Sequence, residues 1–226
     1  MNRLQERSMI SSDDIYRDLL EKIVNLEYMP GDLLSEHSLC ETYRCTRHMV
    51  RGAFVMLRQK GLLEVYPQRG SYVSLIDLQL IGDILFLREA AETAAAMQVM
   101  ADDDLAETAA KQMQKQIEKQ KEAADKNDIQ AYFEADDSFH QILMKAAGRQ
   151  AVRALLEDEY IHLRRWRNLE VRSTKRIPVL IREHKAICKA LRRQDREKTA
   201  SLLHEHFDTL KYAEAIGDPG RDTYFR

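Results

Sequence analysis

A chain of 226 residues suits one large domain or two small ones and is long enough to bury a real core. Hydrophobic residues make up 44% and charged residues 32%, with only 8 Gly and 4 Pro, a balance that points to a mostly helical soluble protein and excludes a collagenous or low-complexity one. A formal net charge of -2 and a pI near 6.4 exclude a globally basic nucleic-acid binder, so DNA affinity would have to come from local patches. No apolar run approaches the roughly 18 residues that span a bilayer, and the N-terminus lacks the apolar core of a signal peptide. Cys40, Cys45 and Cys188 are odd in number and form no CxxC pair, which fits a reducing cytoplasm without a disulfide framework. Cys40 and Cys45 stand near enough in sequence to approach each other, and buried small-residue packing is the reading they receive.

Residues 1 to 10 carry no pattern and are expected to form a loose arm. Ser11-Ser12-Asp13-Asp14 then offers capping residues to a helix in which Ile15, Leu19, Ile23 and Leu26 recur at helical spacing. Tyr28-Met29-Pro30-Gly31-Asp32 ends it in a turn. A short helix starts at Ser35 with Leu39 inward, and a break at Arg44-Cys45 leads to the segment from Thr46 to Arg58. As a helix, that segment puts Val50, Ala53, Phe54 and Leu57 on one apolar stripe, while Arg47 and Arg51 share a cationic face and Thr46 takes the N-cap. Burying one side and offering guanidinium groups on the other is how a recognition helix reads the major groove. An ordinary surface helix with solvated arginines has the same local pattern, so the neighbours must decide.

After Gly61, a C-terminal cap, the period changes. Leu62-Leu63-Glu64-Val65-Tyr66 and Ser71-Tyr72-Val73 read as two strands around the turn Pro67-Gln68-Arg69-Gly70, a hairpin with a cationic tip of the kind that forms a wing. Over residues 44 to 69, Arg44, Arg47, Arg51, Arg58, Lys60 and Arg69 stand against Glu64 alone, so a local positive patch exists despite the overall charge. Helix, short helix, turn, helix and wing is the winged helix-turn-helix order, and DNA binding becomes the leading reading.

From Asp77 the pattern is helical almost throughout. Expected helices run from Asp77 to about Met100, from Leu105 to Lys126 with Met113 and Ile117 inward, and from an Asp128 cap to Ala146. One further helix covers Ala151 to Arg172 with the only tryptophan, Trp166; Pro178 opens another through Leu191, and Asp195 caps a last one through Ala215. The fold expected is therefore mainly α: a winged helix-turn-helix domain over residues 1–75 and an all-helical antiparallel bundle over residues 76–226.

Within that bundle Asp136 and His140 are four apart on one helix face, and His184 and His206 fall on two later helices beside apolar residues. Convergence of three imidazoles and a carboxylate would make a site for zinc or another divalent ion; separate, satisfied core histidines are the other reading, and spacing alone leaves both open. His162 and His204 lack this pattern and read as surface residues.

Met29 to Glu36, Thr46 to Ala53 and Gly61 to Val73 resemble the winged helix-turn-helix of the GntR family of bacterial transcription regulators, and the remainder resembles the FadR-like ligand-binding domain of FCD type. The resemblance covers nearly the whole chain. It implies that Thr46, Arg47 and Arg51 touch DNA, with Arg69 and Gly70 at the wing tip entering the minor groove. The sequence departs from the family pattern at His37, where an arginine is usual, at His48-Met49 in place of Thr-Pro, and at Gly52 in place of Glu, so the contact assigned to His37 and the operator preference are expected to deviate. The family's metal ligands match Asp136-x-x-x-His140, Glu183-His184 and His206-Phe207. The resemblance thus implies a cytoplasmic, homodimeric, metal-containing repressor that leaves a double-stranded DNA operator when a small organic acid binds. Arg88 sits at the family's usual arginine position and is the candidate for pairing with that acid; an ion pair with Glu92, four residues on, is its alternative. Two rival functions are a metal-dependent enzyme built on the bundle and a sensor for which the metal itself is the signal.

Overall fold

The computed structural model describes residues 10–155, 157–216 and 224–226. It divides into two compact units, the first comprising residues up to Asp77 with Arg164–Asn168 and Tyr224–Arg226, the second the helices between and beyond.

In the first unit, α1 (Ser12–Val24) starts from a reciprocal cap in which the Asp14 amide donates to Ser11 Oγ at 3.1 Å and the Ser11 amide to Asp14 Oδ2 at 2.9 Å. Ile15, Leu19 and Ile23 are fully buried as their spacing requires. Leu26 does not continue the stripe: the helix has ended, and Leu26 takes a left-handed conformation (φ 63°) in its C-terminal turn. A two-residue strand β1 (Leu33–Leu34) precedes α2 (Glu36–Tyr43), and α3 (Arg47–Gln59) follows. Val50, Ala53, Phe54 and Leu57 bury the inner face of α3, largely against α1. The hairpin is β2 (Leu63–Tyr66) and β3 (Gly70–Val73), antiparallel with Leu63 opposite Val73 and Tyr66 opposite Gly70, and β1 adds to the free side of β3. Gly70 is obligatory on two counts, since its φ is 112° and a Cβ there would stand 2.7 Å from Leu33 Cδ1. Ile76 forms a parallel bridge with Phe225, whose ring faces the buried Trp166, and Arg165 donates from Nη1 to Ser74 Oγ at 3.1 Å.

The second unit is helical: α4 (Leu78–Val99), α5 (Asp103–Asp125), α6 (Ile129–Ala146), α7 (Ala151–Ala154), α8 (Glu157–Thr174), α9 (Ile177–Arg192), α10 (Arg196–Phe207) and a 3-10 turn over Leu210–Ile216. Asp102, Asp128 and Asp195 cap α5, α6 and α10 through the amides of Leu105, Ala131 and Lys198. In this unit α5 packs on α6 and α9, and α10 on α4 and α9, around Met113, Ile117, Tyr132, Phe139, Leu143, Ile187 and Leu203. Two expected boundaries fail. The helix expected over Ala151–Arg172 is two, α7 and α8, and the one expected to reach Ala215 stops at Phe207. There Asp208 leaves helical geometry (ψ 61°) beside Thr209, both residues whose side chains compete for backbone groups. The expected loose arm lies outside the described residues except for Ile10. No described helix is long and apolar enough to cross a membrane.

Candidate functional site

Two groups of side chains carry chemistry, one in each unit. In the first, α3 exposes Arg47, His48, Arg51 and Arg58 on the face opposite its apolar stripe. Thr46 occupies the N-cap position, but its side chain makes no capping hydrogen bond; its carbonyl accepts from the Met49 and Val50 amides at 3.1 and 3.3 Å. Arg51 is 65% exposed at its side chain, and its Nε donates to both carboxylate oxygens of Glu36 at 3.1 Å. Glu36 lies outside the segment over which the positive patch was counted, and the fold brings it in: the patch is partly offset by an acid on α2. His37, also exposed, has Nε2 3.5 Å from Glu41 Oε1. At the wing, Arg69 lies over the Tyr66 ring at 5.8 Å beside Gly70, and both residues are exposed. Glu64, the acid within the patch, accepts from Arg226 Nη1 at 2.7 Å.

In the second unit α6, α9 and α10 bring Asp136, His140, His184 and His206 together. His206 Nε2 is 3.3 Å from both His184 Nε2 and His140 Nε2, and the ligating atoms of the three imidazoles all lie within 4.8 Å of one another. Asp136 closes the group, with Oδ1 3.6 Å from His184 Nε2 and Oδ2 3.9 Å from His140 Nε2. All four side chains are buried.

What fixes the imidazoles is on their other edges. His140 Nδ1 meets Glu92 Oε2 at 2.6 Å, His184 Nδ1 meets Gln120 Oε1 at 2.8 Å, and His206 Nδ1 meets Glu183 Oε2 at 2.8 Å. Each of these oxygens is an acceptor, so each ring keeps its proton on Nδ1 and turns an Nε2 lone pair inward. Three lone pairs and a carboxylate facing one point have no proton to share, and a cation is the partner that such a set satisfies. Four ligands held about 2.0–2.1 Å from a tetrahedral zinc stand about 3.4 Å from one another, close to the spacing of the imidazoles here. Burial pushes the His140 imidazole below its usual range, which favours the neutral form a ligand needs. Burial alone would raise the Glu92 carboxyl, but His140 and Arg88 beside it hold it below the usual carboxylate value.

Arg88 donates from Nε and Nη2 to Glu92 Oε1 at 3.2 and 3.1 Å and is buried, so the ion pair weighed against an acid-binding role is present. A second chain of the same kind runs from Arg176 to Glu183 at 3.0 Å and on to His206. A cavity of about 30 Å³ lies beside Arg88, Glu92, His140, Gln141, Met144 and Tyr160. Sequence reasoning took Glu92 only as a partner for Arg88 and missed Gln120 and Arg176 altogether. Nothing in local spacing marks them, because their partners are 64 residues away for Gln120 and on both sides of a helix start for Arg176. His204 is exposed as expected, with Nδ1 2.9 Å from Glu89.

Residues 11–73 match the model of bacterial regulatory proteins of the gntR family, and residues 83–209 that of the FCD domain. The HTH-type transcriptional repressor RspR of Escherichia coli K12 is 30% identical over 88% of this chain and 86% of its own. The galactonate operon transcriptional repressor of the same organism is 26% identical over 81% of this chain and 88% of its own. Among solved structures, a transcriptional regulator from Rhodococcus sp. RHA1 superposes with a TM-score of 0.69 at 20% identity, over 91% of this chain and 97% of that one, a likeness of fold.

Proposed function

Because the chain belongs to the GntR family of bacterial regulatory proteins and carries an FCD domain, it is a DNA-binding transcription regulator and not an enzyme, and we propose that it is a homodimeric repressor with a divalent metal, zinc, in its bundle. In this reading residues 1–75 bind an inverted-repeat operator in the cytoplasm, and residues 76–226 pair the subunits and bind a small organic acid that releases the DNA. Repression is supported by the names of the two Escherichia coli relatives, and an acid effector by the galactonate operon that one of them is named for.

The observation that carries the proposal is the orientation of His140, His184 and His206, whose Nδ1 atoms all face outward to oxygens of Glu92, Gln120 and Glu183. His140, His184, His206 and Asp136 would hold the ion, which would supply a Lewis-acid position for a carboxylate or hydroxyl oxygen by accepting a fifth or sixth ligand beyond these four. Arg88 would hold the other end of the acid, and to do so it must exchange Glu92 for the ligand. The cavity beside it, about 30 Å³, has room for one water, so the acid enters only by opening the site. The ligand then acts through its different affinity for two states of the dimer. On the DNA side Thr46, Arg47, Arg51 and His37 would meet the major groove, and Arg69 and Gly70 the minor groove.

Native mass spectrometry with elemental analysis of the purified protein tests the core of this. The expected result is a dimer with one metal per chain, retained through dialysis; a metal-free folded dimer would overturn the metal assignment, and a monomer on saturating DNA the inverted-repeat one. Retention through dialysis also argues against the ion itself being the signal.

A further inference from the structure

The turn between α2 and α3 holds a pair of thiols. α2 ends on Arg44 in the left-handed region (φ 50°, ψ 46°), and the Cys45 amide returns to the Cys40 carbonyl at 3.1 Å. Six-to-one closure of this kind at a helix end folds the side chains at its two ends onto one another, where other proteins place two apolar groups. Here both ends are cysteine. Both residues are half-buried instead of lying in the core as the sequence suggested, and the closure sets them at its two ends. Cys188 is different: it is buried and donates to the Ala110 carbonyl at 3.3 Å.

We propose that Cys40 and Cys45 are a reversible dithiol–disulfide site, oxidised by peroxide, built into the turn that sets the start of the recognition helix. Intracellular disulfides are typically transient and redox-sensing, and two half-buried cysteines held at the ends of one six-to-one backbone closure need little chain movement to join. In the first step the Cys40 sulfur attacks one oxygen of hydrogen peroxide, the O–O bond breaks, and a sulfenic acid and one water result. In the second the Cys45 sulfur attacks the sulfenic sulfur, the S–O bond breaks, and hydroxide leaves with the thiol proton as a second water. Two thiols and one peroxide thus give one disulfide and two waters, and a small-molecule dithiol reverses the oxidation by exchange. Burial and the neighbouring Cys40 push the Cys45 thiol up, which suits it to the second, resolving role.

A consequence for DNA follows from position and rests on the reading of α3 given above. Cys45 directly precedes Thr46 and Arg47, and an S–S bond of about 2.05 Å is far shorter than any non-bonded thiol contact. Closing it pulls on the left-handed Arg44 and on the first turn of α3, where Arg47 sits.

The test uses the full chain, treated with stoichiometric hydrogen peroxide or with dithiothreitol, and a DNA duplex selected from a random library by the reduced protein. Oxidation should lower the intact mass by about 2 Da, peptide mapping should place the bond between Cys40 and Cys45, and dithiothreitol should reverse it. Cys188→Ser should behave like the wild type, whereas Cys40→Ser and Cys45→Ser should bind the duplex as before and form no intrachain disulfide with peroxide, Cys45→Ser stopping at the Cys40 sulfenic acid. Duplex affinity of the oxidised wild type should fall about tenfold or more. Overoxidation without a bond between the two cysteines, or a bond only between chains, overturns the site. A clean Cys40–Cys45 bond with unchanged affinity overturns the effect on DNA. Reduced protein that selects no duplex counts instead against the reading of α3, and the mass and mapping still decide the dithiol.

Discussion

Arg51 is held by an acid that DNA would also confront. The Glu36–Arg51 pair is exposed, so it adds little to stability, within about 1 kcal/mol. On the proposed reading of α3 its effect is on recognition: the carboxylate takes Nε and leaves the Nη edge of the guanidinium for pairing bidentately with guanine. Glu36→Ala should therefore leave the melting temperature nearly unchanged, tighten binding to random duplex because an acid near the phosphates is gone, and flatten base preference at one position per half-site. An unchanged ratio of operator to random-duplex affinity would remove Glu36 from this role. Gly52 matters on the other side of the same helix. A Cβ there would lie 2.6 Å from Ser12 Oγ and 3.0 Å from Ser12 Cβ at the start of α1, so a glutamate at this position requires the Ser12 hydroxyl to turn and its Cβ to give. Gly52→Glu should cost about 1–3 kcal/mol in the unfolding of the first unit, read by denaturant melts.

Helices α6, α9 and α10 supply the inward-facing ligands, while α4, α5 and α9 supply the acceptors behind them, and the second set can be tested apart from the first. Gln120 spends its oxygen on His184 and leaves its Nε2 buried without a partner among the described residues. Gln120→Leu removes that unsatisfied donor, which offsets the loss of the hydrogen bond, so apo stability should change by no more than about 1 kcal/mol. Without the acceptor, however, His184 is free to carry its proton on Nε2, and metal affinity should fall about 10–100-fold in competition with a chromophoric chelator. An affinity equal to wild type would show that the tautomer is set by something else. This division also marks what the sequence disclosed. The stripe of α3, the caps at Ser11, Asp128 and Asp195 and the hairpin are periodic or local signals, and they read correctly, whereas the Asp102 cap went unread. Asp136, His140, His184 and His206 came as candidates from their spacing and the resemblance, and the fold brings them together. Leu26, the break between α7 and α8, and the stop at Phe207 were lost because periodicity persists past the point where a helix has ended. The two-residue strand β1, the bridge from Ile76 to Phe225, and the Glu36, Gln120 and Arg176 partners had no signal, since each depends on residues that only the fold brings together.

At the scale of the molecule, the two units have separate cores, and the residues proposed to hold the metal belong to one of them while those proposed to contact DNA belong to the other. Ligand loss in the bundle therefore need not melt the winged unit, and this separates two accounts of the metal. If the ion only braces the bundle, removing it forfeits the stabilisation that any native-state ligand gives, about 2.7 kcal/mol at a free concentration 100 times its Kd, and takes with it any dimer that the bundle holds together. If the ion also forms part of an effector site, the loss must appear in the response as well. His184 discriminates, because it is fully buried, stacks on Phe139 with ring centroids 4.2 Å apart and supplies one inward Nε2. His184→Ala should lower metal content to a small fraction of one per chain, measured by elemental analysis. It should keep a dimer by native mass spectrometry and hold operator affinity within a few-fold of wild type. A panel of small hydroxy and sugar acids that releases the wild type should no longer release this variant. A variant that falls apart to monomers and loses the operator together with the metal would favour the brace alone, since a single winged helix offers too few base contacts for specific binding.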